Sequence, residues 1–148
     1  MTQTGECDVL VIGGGPAGST IATLLARQGR RVVMLEKDRH PRFHIGESLL
    51  PGNVGMLEEL GVREEIDRIG MPKYGVEFVP PDSDERSYVD FSEGWDPSKN
   101  RAWQVRRSEF DEVLFRNAAR NGAVALEGAK VRQVDFDATG ATVAAKTS

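Results

Sequence analysis

The stretch that most limits what this chain can become lies near its start. Cys7-Asp8-Val9-Leu10-Val11-Ile12 is followed by Gly13-Gly14-Gly15-Pro16-Ala17-Gly18 and then by Ser19 to Gln28. An apolar run bounded by glycines reads as a strand buried on both faces of a parallel sheet. Ile21, Leu24 and Leu25 fall on one helical face, and Gly29 stands where such a helix would stop. Gly13, Gly15 and Gly18 have the G-x-G-x-x-G spacing. The first permits a tight turn, the second lets a pyrophosphate approach the backbone, and the third lets helix and strand pack closely. The helix N-terminus then offers free N–H groups and a positive dipole end to phosphates.

A glycine turn alone is common, and its bland reading is a surface loop beside a solvated glutamate. Here the context is complete. A second apolar strand, Val32 to Leu35, ends in Glu36, 18 residues beyond Gly18. An acidic side chain at that place accepts hydrogen bonds from an adenosine ribose. The stretch predicts a dinucleotide site, and by itself it suits NAD and FAD equally.

With 148 residues the chain is long enough for one core and short for two ordinary domains. Its net charge of −4 argues against a nucleic-acid surface. No run reaches the roughly 18 apolar residues of a membrane span, and no basic leader precedes the first apolar stretch, so a cytoplasmic protein is expected. The single cysteine, Cys7, cannot form an internal disulfide and reads as a small core residue. Cys7 and the two histidines are too scattered for metal-ligand spacing.

After Glu36 the segment Lys37 to Ser48 is polar, cationic and broken by Pro41 and Gly46, hence a loop. Leaving the carboxyl end of a strand, it would hang over the cofactor crevice. Lys37, Arg39 and Arg42 are placed to face phosphates, and Gly46 to let backbone approach a flat ring. A solvated basic loop is the equal alternative. Leu49 to Gly61 predicts a helix entered through Pro51, and Val62 to Ile69 a second one. Tyr74 to Val79 and Ser87 to Phe91 read as an antiparallel strand pair, and Ser92 to Arg101 as a loop. Ala102 to Val105 is a short strand leading to Ser108-Glu109-Phe110-Asp111, read as an N-cap with an acid three positions on. Phe110, Val113, Leu114 and Ala118 form the buried stripe of that helix, with Glu112 and Arg116 paired on its surface. Ala123 to Leu126, Lys130 to Phe136 and Ala141 to Ala145 read as strands, the last two joined at Asp137 to Gly140.

Several stretches together resemble one superfamily. The Gly13–Gly18 fingerprint with Glu36, and Arg107-Ser108-Glu109-Phe110-Asp111 opening a helix, are similar to the glutathione-reductase-type FAD-binding fold of flavoprotein monooxygenases. Within it, His40-Pro41-Arg42-Phe43-His44-Ile45-Gly46-Glu47-Ser48-Leu49-Leu50-Pro51 resembles the signature of flavin-dependent halogenases, the pyrrole- and phenol-type branch above all. Lys73-Tyr74-Gly75-Val76-Glu77-Phe78 matches that family's Lys-x-Gly-x-x-Phe pattern. A lysine at a strand's start is by itself most often a solvated charge. The resemblance gives Lys73 a catalytic place between flavin and substrate.

The fold class implied is α/β, a Rossmann-like FAD-binding domain, incomplete, with an antiparallel β-meander at the C-terminal end. The resemblance further implies that reduced FAD from a separate flavin reductase, oxygen, and chloride or bromide yield hypohalous acid. Lys73 would relay it to an electron-rich aromatic substrate, free or tethered to a carrier protein. Gly13, Gly15, Ala17 and Gly18 would hold the pyrophosphate and Glu36 the ribose, with Lys37 also on the cofactor. Arg42, Ile45 and Glu47 would lie near the flavin, Arg107 and Gln104 along the ribityl chain, and Val131 near the adenine. The family's Trp-x-Trp-x-Ile-Pro and later Gly-Asp motifs and its substrate domain do not occur in this sequence, and Trp95 and Trp103 read as packing residues. An N-terminal portion of a longer enzyme is therefore expected over 1–148. A halogenase-like hydroxylase or reductase, a non-catalytic FAD-binding fragment and an NAD enzyme are the alternatives.

Overall fold

A computed structural model describes residues 5–94, 96 and 98–147 of the chain. Trp95, expected as a packing residue, and Pro97, in the expected loop, lie outside the described residues, as does Ser148. Two compact units are present: residues up to His44 with those from Ser108 onward, and Ile45–Arg107.

The first unit is a βαβ arrangement. Strand β1 (Val9–Ile12) leads through helix α1 (Pro16–Arg27) into β2 (Val32–Leu35), and β7 (Val124–Leu126) joins them after helix α4 (Arg107–Arg120). The parallel sheet runs β1-β2-β7, with Val9 opposite Val32 and Val33 opposite Val124. All three parallel strands expected from the sequence are there. β1 is not buried on both faces as expected: Ile12 is 55% exposed, because β1 is an edge strand of this sheet, whereas central β2 buries Val32, Met34 and Leu35. Cys7 precedes β1 and is half-buried rather than in the core.

The face of α1 differs in part from expectation: Leu25 packs against the core as expected, but Ile21 does not. Ser19, Ala22 and Thr23 are buried, and Ile21 is 44% exposed. Small side chains at this spacing let the helix lie close on the sheet. Their hydroxyls are satisfied locally, Ser19 Oγ donating to Gly14 O at 3.1 Å and Thr23 Oγ1 to Ser19 O at 2.8 Å. The core joins Val11, Ala22, Val32 and Met34 to Phe115, Ala118 and Ala123.

Helix α4 starts at Arg107, so Ser108 lies inside its first turn and is not the N-cap. Val113 is only half-buried, and Asp111, Phe115 and Asn117 share the inner face with Phe110, Leu114 and Ala118. The surface pair of Glu112 and Arg116 forms at 3.4 Å. At the C-terminal end β8 (Ala129–Phe136) pairs antiparallel with β9 (Ala141–Thr147). Asp137 closes their turn by accepting from Thr139 N at 2.7 Å, Thr139 Oγ1 at 2.6 Å and Gly140 N at 3.0 Å. The antiparallel end is thus a single hairpin, since β7 belongs to the parallel sheet.

The second unit holds α2 (Gly52–Glu59), α3 (Arg63–Ile69), β3 (Met71–Lys73), β4 (Gly75–Phe78), β5 (Ser87–Asp90) and β6 (Ala102–Gln104). Leu49 and Leu50 stay outside α2, and Leu50 is 54% exposed, because the helix begins only after Pro51. Val54, Leu57, Leu60, Val62 and Ile66 are buried, with Gly61 turning between the helices at φ +70°. Trp103 is fully buried on β6, its Nε1 donating to Asp67 at 3.0 Å. β3 pairs antiparallel with β6, and β4 with β5, as the sequence indicates for the latter. No helix among the described residues is long and apolar enough to cross a membrane.

Candidate functional site

The glycine turn in the first unit has the steric demands expected of it. Gly13 adopts φ +101°, a left-handed conformation open to glycine at little cost. A Cβ on Gly18 would stand 1.9 Å from Gly13 O, so only a hydrogen fits where helix meets turn. The first turn of α1 carries no acidic residue, which leaves its positive end available to an anion. The middle glycine also matters, although the spacing passes over it. Gly14 is buried, a Cβ there would meet the Phe115 ring at 2.6 Å, and its N–H donates to Glu36 Oε2 at 2.7 Å.

Glu36 is therefore more than a ribose acceptor waiting at a strand end. It is 4% exposed, its Oε1 accepts from Asp38 N at 2.9 Å, and Arg42 Nη2 lies 3.3 Å from Oε2. Burial alone would raise its carboxyl pKa. The N–H groups of Asp38 and Gly14 and the charge of Arg42 outweigh that and hold it below the usual 4.5. Arg42 reaches on to Asp111 Oδ2 at 3.0 Å, where Asp111 is fully buried. Asp111, read from sequence as part of a cap, is instead the second anion of a buried Glu36–Arg42–Asp111 group.

The loop carrying Arg42 is fixed at its root. The N–H of His40 donates to Glu127 Oε1 at 2.7 Å, its Nδ1 lies 3.0 Å from the same oxygen, and its ring stacks on Phe115 with centroids 4.6 Å apart. Arg116 Nη1 holds the other oxygen of Glu127 at 3.1 Å.

Glu36 and Arg42 also wall an open cavity of about 320 Å³, to which Gly13, Gly15, Lys37 and Val131 contribute. Six sequence-predicted residues thus come together. Ala17 and Gly18 lie outside its wall, as does Arg39, which is exposed. His44, Ala129 and Lys130 also line it, and sequence reasoning had not singled them out as site residues. Asp111 could have been suspected, since it is a charge in the buried phase of a helix that also contains Phe110 and Leu114.

In the second unit the remaining predicted residues form another group. Arg107 Nη1 donates to Ile45 O at 2.7 Å and crowds Gly46, where φ is +112° and a Cβ would stand 2.9 Å from that nitrogen. Ile45 itself is 78% exposed. Glu47 Oε2 accepts from Gly46 N at 2.9 Å, and that N–H, with the nearby charge of Arg107, holds its carboxyl below the usual range. Gln104 on β6 bridges to Ser48. Lys73, at the end of β3, donates to Ser48 Oγ and to Leu49 O, the latter at 3.0 Å, and its Nζ lies 5.3 Å from the centroid of the Phe91 ring. Among the described residues no cluster of His, Cys, Asp or Glu could hold a metal.

A glycine turn that only glycine fits, a bare helix N-terminus and a buried carboxylate beside an open cavity define a dinucleotide-binding βαβ unit. The chain belongs to the FAD binding domain family, whose model it matches over residues 6–148. The flavin-dependent halogenase armH3 of Armillaria mellea is 45% identical over 130 residues, covering 87% of this chain and 25% of the relative. Among solved structures, the myxobacterial chondrochloren halogenase CndH matches with a TM-score of 0.87 at 38% identity, over 95% of this chain and 33% of that one. A flavoprotein/dehydrogenase from Cytophaga hutchinsonii also reaches 0.87, at 36% identity, over 95% and 35% of the two chains. The chain spans about a quarter of the length of the curated relatives it matches. The likeness is to the N-terminal part of flavin-dependent halogenases, a group of FAD-dependent oxidoreductases.

The state of Glu36 gives a measurable pH dependence. Its pKa in the fold lies below 4.5, so the unfolded chain takes up its proton first on acidification. Its contribution to stability is complete above the unfolded value and is lost as pH falls through the folded one. Denaturation measured from about pH 6 to about pH 3 should show stability falling toward acid, with a shallower fall in Glu36→Gln. An unchanged slope in that variant would mean that the buried carboxylate does not titrate with folding.

Proposed function

We propose that this segment belongs to an FAD-dependent halogenase and supplies the dinucleotide cradle together with the lysine that handles the oxidant. What supports this most is a convergence in the second unit. The loop signature and the lysine motif, 25 residues apart between Ser48 and Lys73, meet through the hydrogen bonds of Lys73 Nζ to Ser48 Oγ and Leu49 O.

The residues present fit FAD, because the slot at Gly18 admits no side chain and Gly13 and Gly15 open onto the cavity. Gly13, Gly15, Ala17 and Gly18 would hold the pyrophosphate at the N-terminus of α1. Glu36, with one of its four acceptor sites still open after the contacts described, would bind ribose, with Lys37 beside it. Val131 would flank the adenine. Arg42 would act chiefly by fixing Glu36, and Ile45, Glu47, Gln104 and Arg107 would shape the backbone beside the flavin.

When bound and reduced by a separate flavin reductase, FAD supplies, with oxygen and chloride or bromide, hypohalous acid. Lys73 takes that small neutral species by hydrogen bonding and aims it at an electron-rich aromatic ring, free or carrier-tethered. A half-buried amine against the face of Phe91 limits the oxidant's loss to water. The enzyme carrying this segment, assayed with a flavin reductase, chloride and a panel of phenols and pyrroles, should give products with the chlorine isotope pattern. Hydroxylated products alone would favour a second reading, an FAD-dependent hydroxylase or dehydrogenase. The similarity to the Cytophaga flavoprotein/dehydrogenase is the observation behind that reading.

A further inference from the structure

We propose that Ser48 is the positioning residue for Lys73. The inference rests on the reading of Lys73 as the residue that handles hypohalous acid, and it concerns how that lysine is aimed. A lysine has a long flexible stem and a point charge with three rotatable donors, so its strand alone does not fix where the nitrogen goes. Something must select one orientation.

Strand β6 supplies the frame. On one side it pairs with β3, placing Lys73 opposite Ala102. On the other, Val105 N donates to Glu47 O at 2.8 Å, Leu49 N donates to Trp103 O at 2.9 Å, and Ser48 bridges Gln104. The segment from Glu47 to Leu49 therefore lies beside β6 in a fixed register. The fully buried Trp103 and Ala102 anchor the strand between. The frame leaves Ser48 and Lys73 within reach of each other, and the Lys73 side chain crosses β6 to meet the loop.

At the nitrogen the contacts divide the work. Nζ donates to Leu49 O and to Ser48 Oγ, and the Phe91 ring stands 5.3 Å away on a backbone tied to Tyr74 O by a 2.8 Å hydrogen bond. With two donors spent on fixed oxygens, the third N–H has a set direction and remains for an incoming oxygen acceptor. Leu49 contributes only its carbonyl, which any residue would bring. Ser48 contributes a side-chain oxygen, so the second anchor depends on the residue type. Its hydroxyl oxygen is thereby the acceptor for the lysine.

Ser48→Ala, Ser48→Cys, Ser48→Thr and Lys73→Ala in the enzyme carrying this segment test the proposal with three readouts. These are FAD affinity, halogenated product per reduced FAD consumed, and the mobility of the Lys73 ammonium by 15N relaxation. Losing one hydrogen bond to a charged donor should lower product yield by about tenfold in Ser48→Ala, with FAD affinity unchanged. Lys73 Nζ should become as mobile as an exposed lysine. Ser48→Cys, close in size but a poor acceptor, should behave like Ser48→Ala even if the alanine variant folds badly. Ser48→Thr keeps the oxygen and should restore both yield and order. Wild-type yield and an unchanged Lys73 signal in the alanine and cysteine variants, with Lys73→Ala inactive, would overturn the role of Ser48 and leave that of Lys73 intact. Halogenation by Lys73→Ala would overturn the reading beneath it, while the relaxation data would still report on the contact.

Discussion

Lys73→Ala should abolish halogenation while reduced FAD continues to be oxidised. The two effects separate because of where Lys73 sits. It belongs to the second unit, on a strand frame with Ser48, Leu49 and Phe91, whereas the glycine turn and Glu36 belong to the first. In the proposed role, losing its side chain removes the donor that holds the oxidant, while the residues of the dinucleotide cradle are unchanged. Hypohalous acid is neutral and reactive, so without a fixed donor it is lost to water and to bystander side chains rather than directed to one carbon. Flavin turnover should therefore persist and uncouple from product, with the missing oxidant recoverable by a soluble trap. Lys73→Arg should fall between the two, since it keeps the charge but presents a planar fork instead of a compact ammonium.

Arg42→Ala should be strongly destabilising to the first unit, costing about 3–5 kcal/mol. Arg42 bridges Asp111, fully buried, and Glu36, 4% exposed, so its loss deprives two buried carboxylates of their shared cation. The effect should also reach the cofactor cradle, because Glu36 holds Gly14 N. Urea denaturation should show a lower midpoint with an unchanged slope. Adding Asp111→Asn to Arg42→Ala should recover part of the loss by removing one buried charge, and the pair should be clearly non-additive. A loss under about 1 kcal/mol would mean that water reaches these groups and screens them.

The parts of this fold that could be read from sequence are those whose causes are local. Strand, glycine turn and helix follow one another without interruption from Val9 to Arg27, so Gly13 and Gly18 declare their steric roles by spacing alone. Glu36 was legible because a parallel strand must end beside that turn. What stayed hidden depends on distant partners. Asp111 looked like a capping acid, and nothing local reveals that its partner lies 69 residues earlier. Phe115, against which Gly14 and His40 pack, carried no mark beyond being apolar. On α1 the apolar spacing of Ile21, Leu24 and Leu25 marks one face, whereas the sheet takes the small residues Ser19, Ala22 and Thr23, which hydropathy does not mark. The meeting of Ser48 with Lys73 had no signal in spacing. Only the resemblance to halogenases placed both near one chemistry.

The amount of halogenated product formed per reduced FAD consumed, in the enzyme carrying this segment with chloride as the halide, is the most direct measure of the central claim. Wild type should convert a substantial share of its flavin turnover into chlorinated product, and Lys73→Ala none at equal flavin turnover. Chlorinated product from the Lys73→Ala variant, or only hydroxylated product from the wild type, would contradict it.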